Sequence, residues 1–163
     1  MRTREMIPRT TRFAPLLALA LAACGRPYSA ATPDGFVELD EDRYDKAAHE
    51  YRASTADGVV IGIRAYENDP EVDLALAVRA LENRVRLGQG YALLDKKDAT
   101  ARDGTKGMTL HFGHDESGGP HLYTVTIFVT DDWVYLLETG GKKELVDKAQ
   151  ASLDWATKNF LPD

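Results

Sequence analysis

Two spacings of apolar residues alternate along this chain. Phe36 to Leu39, Ala48 to Thr55 and Val59 to Tyr66 repeat every second position, the period of a half-buried strand. In the second stretch His49, Tyr51 and Ala53 share one face, and Glu50, Arg52 and Ser54 share the other. In the third, Val59, Ile61 and Ile63 alternate against Val60 and Gly62. Ala56-Asp57-Gly58 stands between these two runs and predicts a hairpin, so the three strands form a meander. The spacing then lengthens. Leu74, Val78, Leu81 and Val85 recur at four, three and four residues, with Arg79, Glu82 and Arg86 on the wet side. Asp69 as N-cap and Pro70 at the first helical position predict where this helix starts, and Gly88 and Gly90 predict its stop.

A second strand-rich region follows. Tyr91 to Leu94 predicts a strand, and Asp95 to Asp103 a charged loop or hairpin arm. Lys106 to Phe112 places Met108, Leu110 and Phe112 on one face. His114 to Pro120 predicts a glycine-rich turn. His121 to Thr130 and Trp133 to Thr139 predict two strands joined at Asp131-Asp132, with Gly140-Gly141 breaking the sheet. Lys142 to Phe160 predicts a closing helix whose buried stripe is Leu145, Ala149, Leu153, Ala156 and Phe160. Runs of antiparallel strands separated by single helices describe an α+β fold. It is a mainly antiparallel sheet of about six to seven strands packed with two amphipathic helices.

The chain before this domain has a different character. Arg2, Arg4, Arg9 and Arg12 form a basic start, and Phe13 to Ala23 form an apolar run of 11 residues. That layout is a secretory signal peptide, and the run is far short of the roughly 20 residues a spanning helix needs. Without an adjacent Arg-Arg pair, the general secretion route is favoured over the twin-arginine route. Cys24 is the single cysteine, so no intrachain disulfide forms. Gly25 to Asp34, small, polar and proline-containing, predicts a flexible tether of roughly 30 Å at full stretch. The expected organisation is residues 1–23 as signal peptide, 24–34 as tether and 35–163 as one domain.

Leu21-Ala22-Ala23-Cys24 resembles the lipobox of bacterial lipoproteins. The resemblance implies that Cys24 is lipidated on sulfur and becomes residue one after cleavage. Two or three acyl chains there, palmitate among them, anchor a protein stably where one is marginal. By resemblance to the sorting rule of some Gram-negative bacteria, a non-aspartate such as Gly25 after the cysteine favours the periplasmic face of the outer membrane. Residues 35 to 161 resemble the PsbP-like superfamily. This likeness rests on the element order, the Leu87-Gly88-Gln89-Gly90-Tyr91 link from helix to sheet, the long final hairpin and the C-terminal helix. It implies a scaffold or accessory role and no catalytic residue shared by the family; with the lipobox, the expected partner is an envelope protein.

Charge narrows the partners. The first 23 residues hold four of the 20 basic and one of the 26 acidic residues, so the remaining 140 carry a formal charge of −9. Such a domain is repelled by anionic headgroups and by nucleic acid. No basic stripe with interleaved aromatics argues otherwise.

Candidate chemistry is confined to one hairpin. Ser117-Gly118-Gly119-Pro120 looks like the tail of the trypsin-like nucleophile motif, and Ala47-Ala48-His49 echoes that family's histidine motif. A hydrolase at Ser117 needs His49 as base and an oxyanion hole. Asp115 occupies the position of the glycine that builds that hole, where its carboxylate opposes the developing charge. Glu116 stands where that motif has aspartate, and 140 residues with a central helix do not supply two barrels. A turn is the simpler reading. His111, His114 and His121 flank the same turn beside Asp115 and Glu116. If Gly113 pairs opposite His121, His111 and His121 share a face and offer zinc, nickel or copper a ligand set. No tight ligand spacing supports it. Trp133, Tyr135, Tyr123 and Tyr91 offer a ligand cleft between sheet and helix but read more simply as core or cross-strand aromatics, and Asp40-Glu41-Asp42 and Asp95 to Asp98 read as charge solvated in loops. No cofactor motif is present: the chain has no phosphate loop, dinucleotide glycine motif or Gly-x-Ser-x-Gly. The sequence-based reading is thus a non-enzymatic, lipid-anchored envelope protein, with small-ligand or metal binding as the alternative.

Overall fold

The computed structural model describes residues 26–39 and 51–163. The Leu21–Cys24 stretch, with its expected cleavage and lipidation, lies outside the described residues, as do His49 and the Asp40-Glu41-Asp42 cluster. Two short strands open the described chain, β1 (Tyr28–Ser29) and β2 (Val37–Glu38). Next come β3 (Tyr51–Ser54), β4 (Val60–Glu67) and helix α1 (Leu74–Asn83), which runs into a π-helical turn at Arg84–Gly88. The strands β5 (Ala92–Thr100), β6 (Lys106–Glu116), β7 (Gly119–Val129) and β8 (Trp133–Lys142) follow. Helix α2 (Lys143–Asn159) and a short β9 (Leu161–Pro162) close the chain.

Seven of these strands form one antiparallel sheet in the order β2-β3-β4-β8-β7-β6-β5. The period-two alternation sorts its side chains onto two faces. On the first, Leu110, Phe112, Val125 and Ile127 meet Val78 and Val85 from α1 and its π-helical extension. On the second, Phe128, Tyr135, Leu137, Ile61 and Ile63 meet Val146 and Leu153 of α2, with Phe160 beyond it. The expected α+β architecture is the one observed.

Several local expectations give way. The cap of α1 is Asp73, whose carboxylate accepts from the Leu76 amide at 2.7 Å. Asp69 and Pro70 belong to the preceding loop. That loop is held by Asn68, which accepts from the Val72 amide at 2.8 Å and donates to Thr130 O at 3.0 Å. The apolar stripe begins at Leu74, so the cap directly before it wins. Gly140 and Gly141 do not break the sheet. They pair with Tyr123 and Leu122, and β8 continues to Lys142. A ladder needs backbone groups, not side chains, and a Cβ at Gly140 would stand 3.3 Å from Leu122 O. The charged stretch from Asp95 is hairpin arm, not loop: β5 runs to Thr100 with a bulge between Leu93 and Asp95. Asp95, Lys96, Lys97 and Asp98 make it a charged edge strand, which discourages pairing with another chain.

The largest correction concerns the tether. From Arg26 onward the expected leash is part of the fold. Tyr28 is 4% exposed, with its ring 5.5 Å from Phe160 and edge-on to Tyr135 at 6.2 Å. β1 pairs with β9, Tyr28 opposite Pro162. Thr32 and Tyr51 share a hydroxyl hydrogen bond of 2.8 Å, and Phe36 is buried in the same cluster. Two aromatic side chains in a proline- and alanine-rich segment supply the apolar area that docks it.

Candidate functional site

Among the described residues, no helix covers the first face of the sheet over β3, β4, β8 and the start of β7. The resulting cleft measures about 530 Å³. Gly62 and Gly140 contribute no side chains to its floor, and Arg52, His121, Tyr123 and Glu138 reach into it. Glu138 stands opposite Gly62 on β4 and Val125 on β7. Arg64 and Tyr123 are therefore its diagonal neighbours, two residues along on each strand, within reach of long side chains.

Those three residues form one polar cluster. Arg64 Nε donates to Glu138 Oε2 at 2.6 Å and its Nη2 to Oε1 at 2.5 Å, a bidentate grip. The Tyr123 hydroxyl donates to the same Oε1. Glu138 is 8% exposed, so its charge sits in low dielectric and needs these partners. Burial alone pulls the Arg64 guanidinium down, but the hydrogen bond and charge of Glu138 outweigh it and raise its pKa. Burial, then the Glu138 charge, pushes the Tyr123 phenol far above the ordinary tyrosine range. Tyr123 is thus a fixed donor, unsuited to act as a base or nucleophile near neutrality.

The three hairpin histidines do not converge. The observed register pairs His114 with His121, and Gly113 with Leu122. His111, three residues from His114, projects from the opposite face. The expected His111–His121 pairing on one face is therefore wrong by one register step, and one step flips the face. His121 Nδ1 lies 3.0 Å from Gly119 O and 3.7 Å from Glu116 Oε2, while the His114 ring packs at a tilt against Tyr91, 4.9 Å between centroids. Among the described residues no group of three histidine, aspartate, glutamate or cysteine side chains is placed to hold a metal. Ser117 is exposed in the two-residue turn between β6 and β7, and among the described residues no hydrogen bond joins it to an imidazole.

A second cleft of about 770 Å³ lies on the other face, between the sheet and α2. Its sheet wall is a hydroxyl row. Thr109 and Thr126 share a 2.8 Å hydrogen bond, and His111 Nδ1 lies 3.1 Å from Thr124 Oγ1. Burial, reinforced by Lys97, lowers the His111 pKa, which favours the neutral ring. Asp154 and Lys158 of α2 face this row. The sequence points to Tyr123 as a cleft aromatic, and the first cleft does include it, but it does not point to the threonine row or to the Arg64–Glu138 pair. The available signal is a single Arg and a single Glu, each inside an apolar strand.

No family model matches the chain, and no curated protein matches it in sequence. Solved structures do share its fold. One is LpqN of Mycobacterium tuberculosis, described as involved in cell envelope biogenesis, at 13% identity and TM-score 0.62, covering 82% of each chain. Another is cyanobacterial PsbP (CyanoP) from Synechocystis sp. PCC 6803, at 12% identity and TM-score 0.58, covering 84% of this chain and 87% of that one. A Pseudomonas aeruginosa protein of unknown function, PA94, aligns at 13% identity and TM-score 0.52, covering 86% and 88%. At these identities the likeness is one of fold: an α+β, PsbP-like architecture with a mostly antiparallel sheet and two helices. Among the described residues no helix is long and apolar enough to cross a membrane.

Proposed function

We propose that this protein is a lipoprotein of the bacterial cell envelope, acylated at Cys24, whose domain is a non-enzymatic binding subunit of an envelope assembly. The observation that carries the binding role is the Arg64–Glu138–Tyr123 cluster, whose Glu138 and Tyr123 line the cleft. Arg64 grips Glu138 with two hydrogen bonds and the phenol is held protonated, so the cluster offers fixed polarity for recognition rather than a group ready for proton transfer. The envelope setting draws support from the lipobox and from the fold shared with a protein of cell envelope biogenesis.

The test is chemical crosslinking of the full-length protein in its own membranes, comparing wild type with Glu138→Gln and Ser117→Ala. A crosslinked neighbour that persists in Ser117→Ala and disappears in a folded Glu138→Gln variant supports the reading. The same neighbour in all three removes the cleft from the binding surface. Labelling with a radioactive fatty acid should mark wild type and leave Cys24→Ala blank; equal labelling ends the anchoring claim.

The threonine row favours a second reading, binding of a small, neutral, polar molecule against His111. A thermal shift on adding such a molecule, lost in a Thr124→Val variant, would establish it.

A further inference from the structure

The docking of the N-terminal segment fixes more than stability. Arg26 is held by the fold: its guanidinium lies 3.3 Å from Glu38 Oε1 and 5.5 Å over the Tyr51 ring. The next residue is clamped from two sides. Pro27 O accepts from the Tyr135 hydroxyl at 2.9 Å and from the Asp163 amide at 3.3 Å. Cys24 precedes Arg26 by two residues, so their Cα atoms are at most about 7 Å apart. Acyl chains on Cys24 would hold that residue at the bilayer surface. The fixed part of the domain then begins within about one side-chain length of the headgroups.

From these contacts we infer that the end of the domain carrying Pro27 and Asp163 lies against the bilayer, with the Glu138 cleft turned away from it. The inference rests on the acylation of Cys24 proposed above. The two ends are set by the long strands. Tyr135, which holds Pro27, pairs with Phe128, whereas the cleft residue His121 pairs with Lys142 at the other end of β7. His121 and Phe128 are thus about 24 Å apart along one strand, and the Ser117 turn lies further still. A two-residue connection keeps the anchored end within about 7 Å of the acylated residue, whereas the Ser117 turn has no such tie. Attraction does not make this contact. The 140-residue mature chain is acidic overall, so the covalent anchor, not attraction of the whole domain to the headgroups, holds this end at the bilayer. Site access follows: the cleft is presented to partners standing off the membrane.

The test uses the full-length, acylated protein in phosphatidylcholine vesicles that contain headgroup nitroxide lipid. Acylation blocks the sulfur of the single native cysteine, so an introduced cysteine takes a fluorophore uniquely. Asp163→Cys and Ser117→Cys are both exposed positions that leave the core intact. The separation of the ends, about 35 Å along the hairpin, predicts quenching at least about threefold greater at residue 163 than at 117. A flexible insert of about 12 residues between Gly25 and Arg26 should bring the two values together. Equal quenching without the insert, or stronger quenching at 117, overturns the orientation while leaving acylation intact. Mass spectrometry of the same samples reads acylation separately, and an unmodified Cys24 overturns both.

Discussion

The guanidinium of Arg64 and the carboxylate of Glu138 meet side-on across neighbouring strands, with Nε 2.6 Å from one oxygen and Nη2 2.5 Å from the other. Because Glu138 is buried, removing its bidentate partner weakens the compensation of a charge held in low dielectric. Arg64→Ala should therefore destabilise the domain by about 3 kcal/mol, whereas the double variant Arg64→Met/Glu138→Leu should lie within about 1 kcal/mol of wild type. Tyr123→Phe removes a single donor to the same oxygen and should cost about 1–2 kcal/mol. Urea unfolding of the three variants reads these values directly. A loss in the double variant as large as that of Arg64→Ala would mean that the pair does not act as a unit.

The Tyr28 ring tests the docked N-terminal segment. It packs on Phe160 and Tyr135, and Tyr28→Ala should cost about 3–4 kcal/mol. A segment that served only as a leash would tolerate the change without measurable loss. Calorimetry of the full-length chain distinguishes the two, and Ala31→Gly, an exposed change in the same segment, serves as the neutral control.

That contrast marks what the sequence can and cannot convey here. The strands containing Ile61, Leu110 and Val125 are legible because one face of each is buried and the apolar period is two. The stripe of α1 is legible for the corresponding reason at the helical period. β1 is not: two residues have no period, and its partner β9 lies at the far end of the chain. Proline and alanine around Tyr28 suggest a linker, and only the tertiary pocket formed by Phe160 and Tyr135 overrides that. The hairpin histidines fail for a narrower reason. A two-residue turn at Ser117-Gly118 moves the pairing by one position, and that is enough to separate His111 from His121. The Arg64–Glu138 pair joins strands 74 residues apart in the chain, a relation that no local pattern encodes.

The titration of Tyr123 and His111 should shape stability at opposite ends of the pH scale. The folded-state pKa of Tyr123 is raised above its unfolded value of about 10. Its contribution is fully present below pH 10 and is lost as pH rises above it, because the unfolded chain then releases a proton that the folded chain keeps. Ultraviolet titration should show a tyrosine that ionises only with unfolding, and Tyr123→Phe should flatten the alkaline loss of stability. His111 has a folded pKa below its ordinary value of about 6.5. Its contribution is present above that pH and is lost as pH falls, so His111→Gln should reduce the acid-side slope. Slopes unchanged in both variants would reject the assignment.

Glycine at 107 is demanded by packing, and the prediction here separates space from backbone freedom. Gly107 pairs with Phe128 at the start of β6, and a Cβ there would stand 2.4 Å from Ile127 O and 2.5 Å from the Phe128 ring. One of those contacts is backbone in the central ladder, and Phe128 is fully buried against Phe160, so neither neighbour can retreat. Gly107→Ala should therefore cost about 2–3 kcal/mol, the scale of overpacking in a closed core. Gly118, at the exposed tip of the next turn, has nothing within 4 Å of its would-be Cβ and does not need positive φ. Gly118→Ala should instead stabilise slightly, by about 0.5 kcal/mol, through the lowered entropy of the unfolded chain. Thermal unfolding of the two variants side by side checks the pair. Similar values for both would show that β6 and β7 yield to the added methyl, and that the Phe128 side of the sheet is softer than its close packing implies.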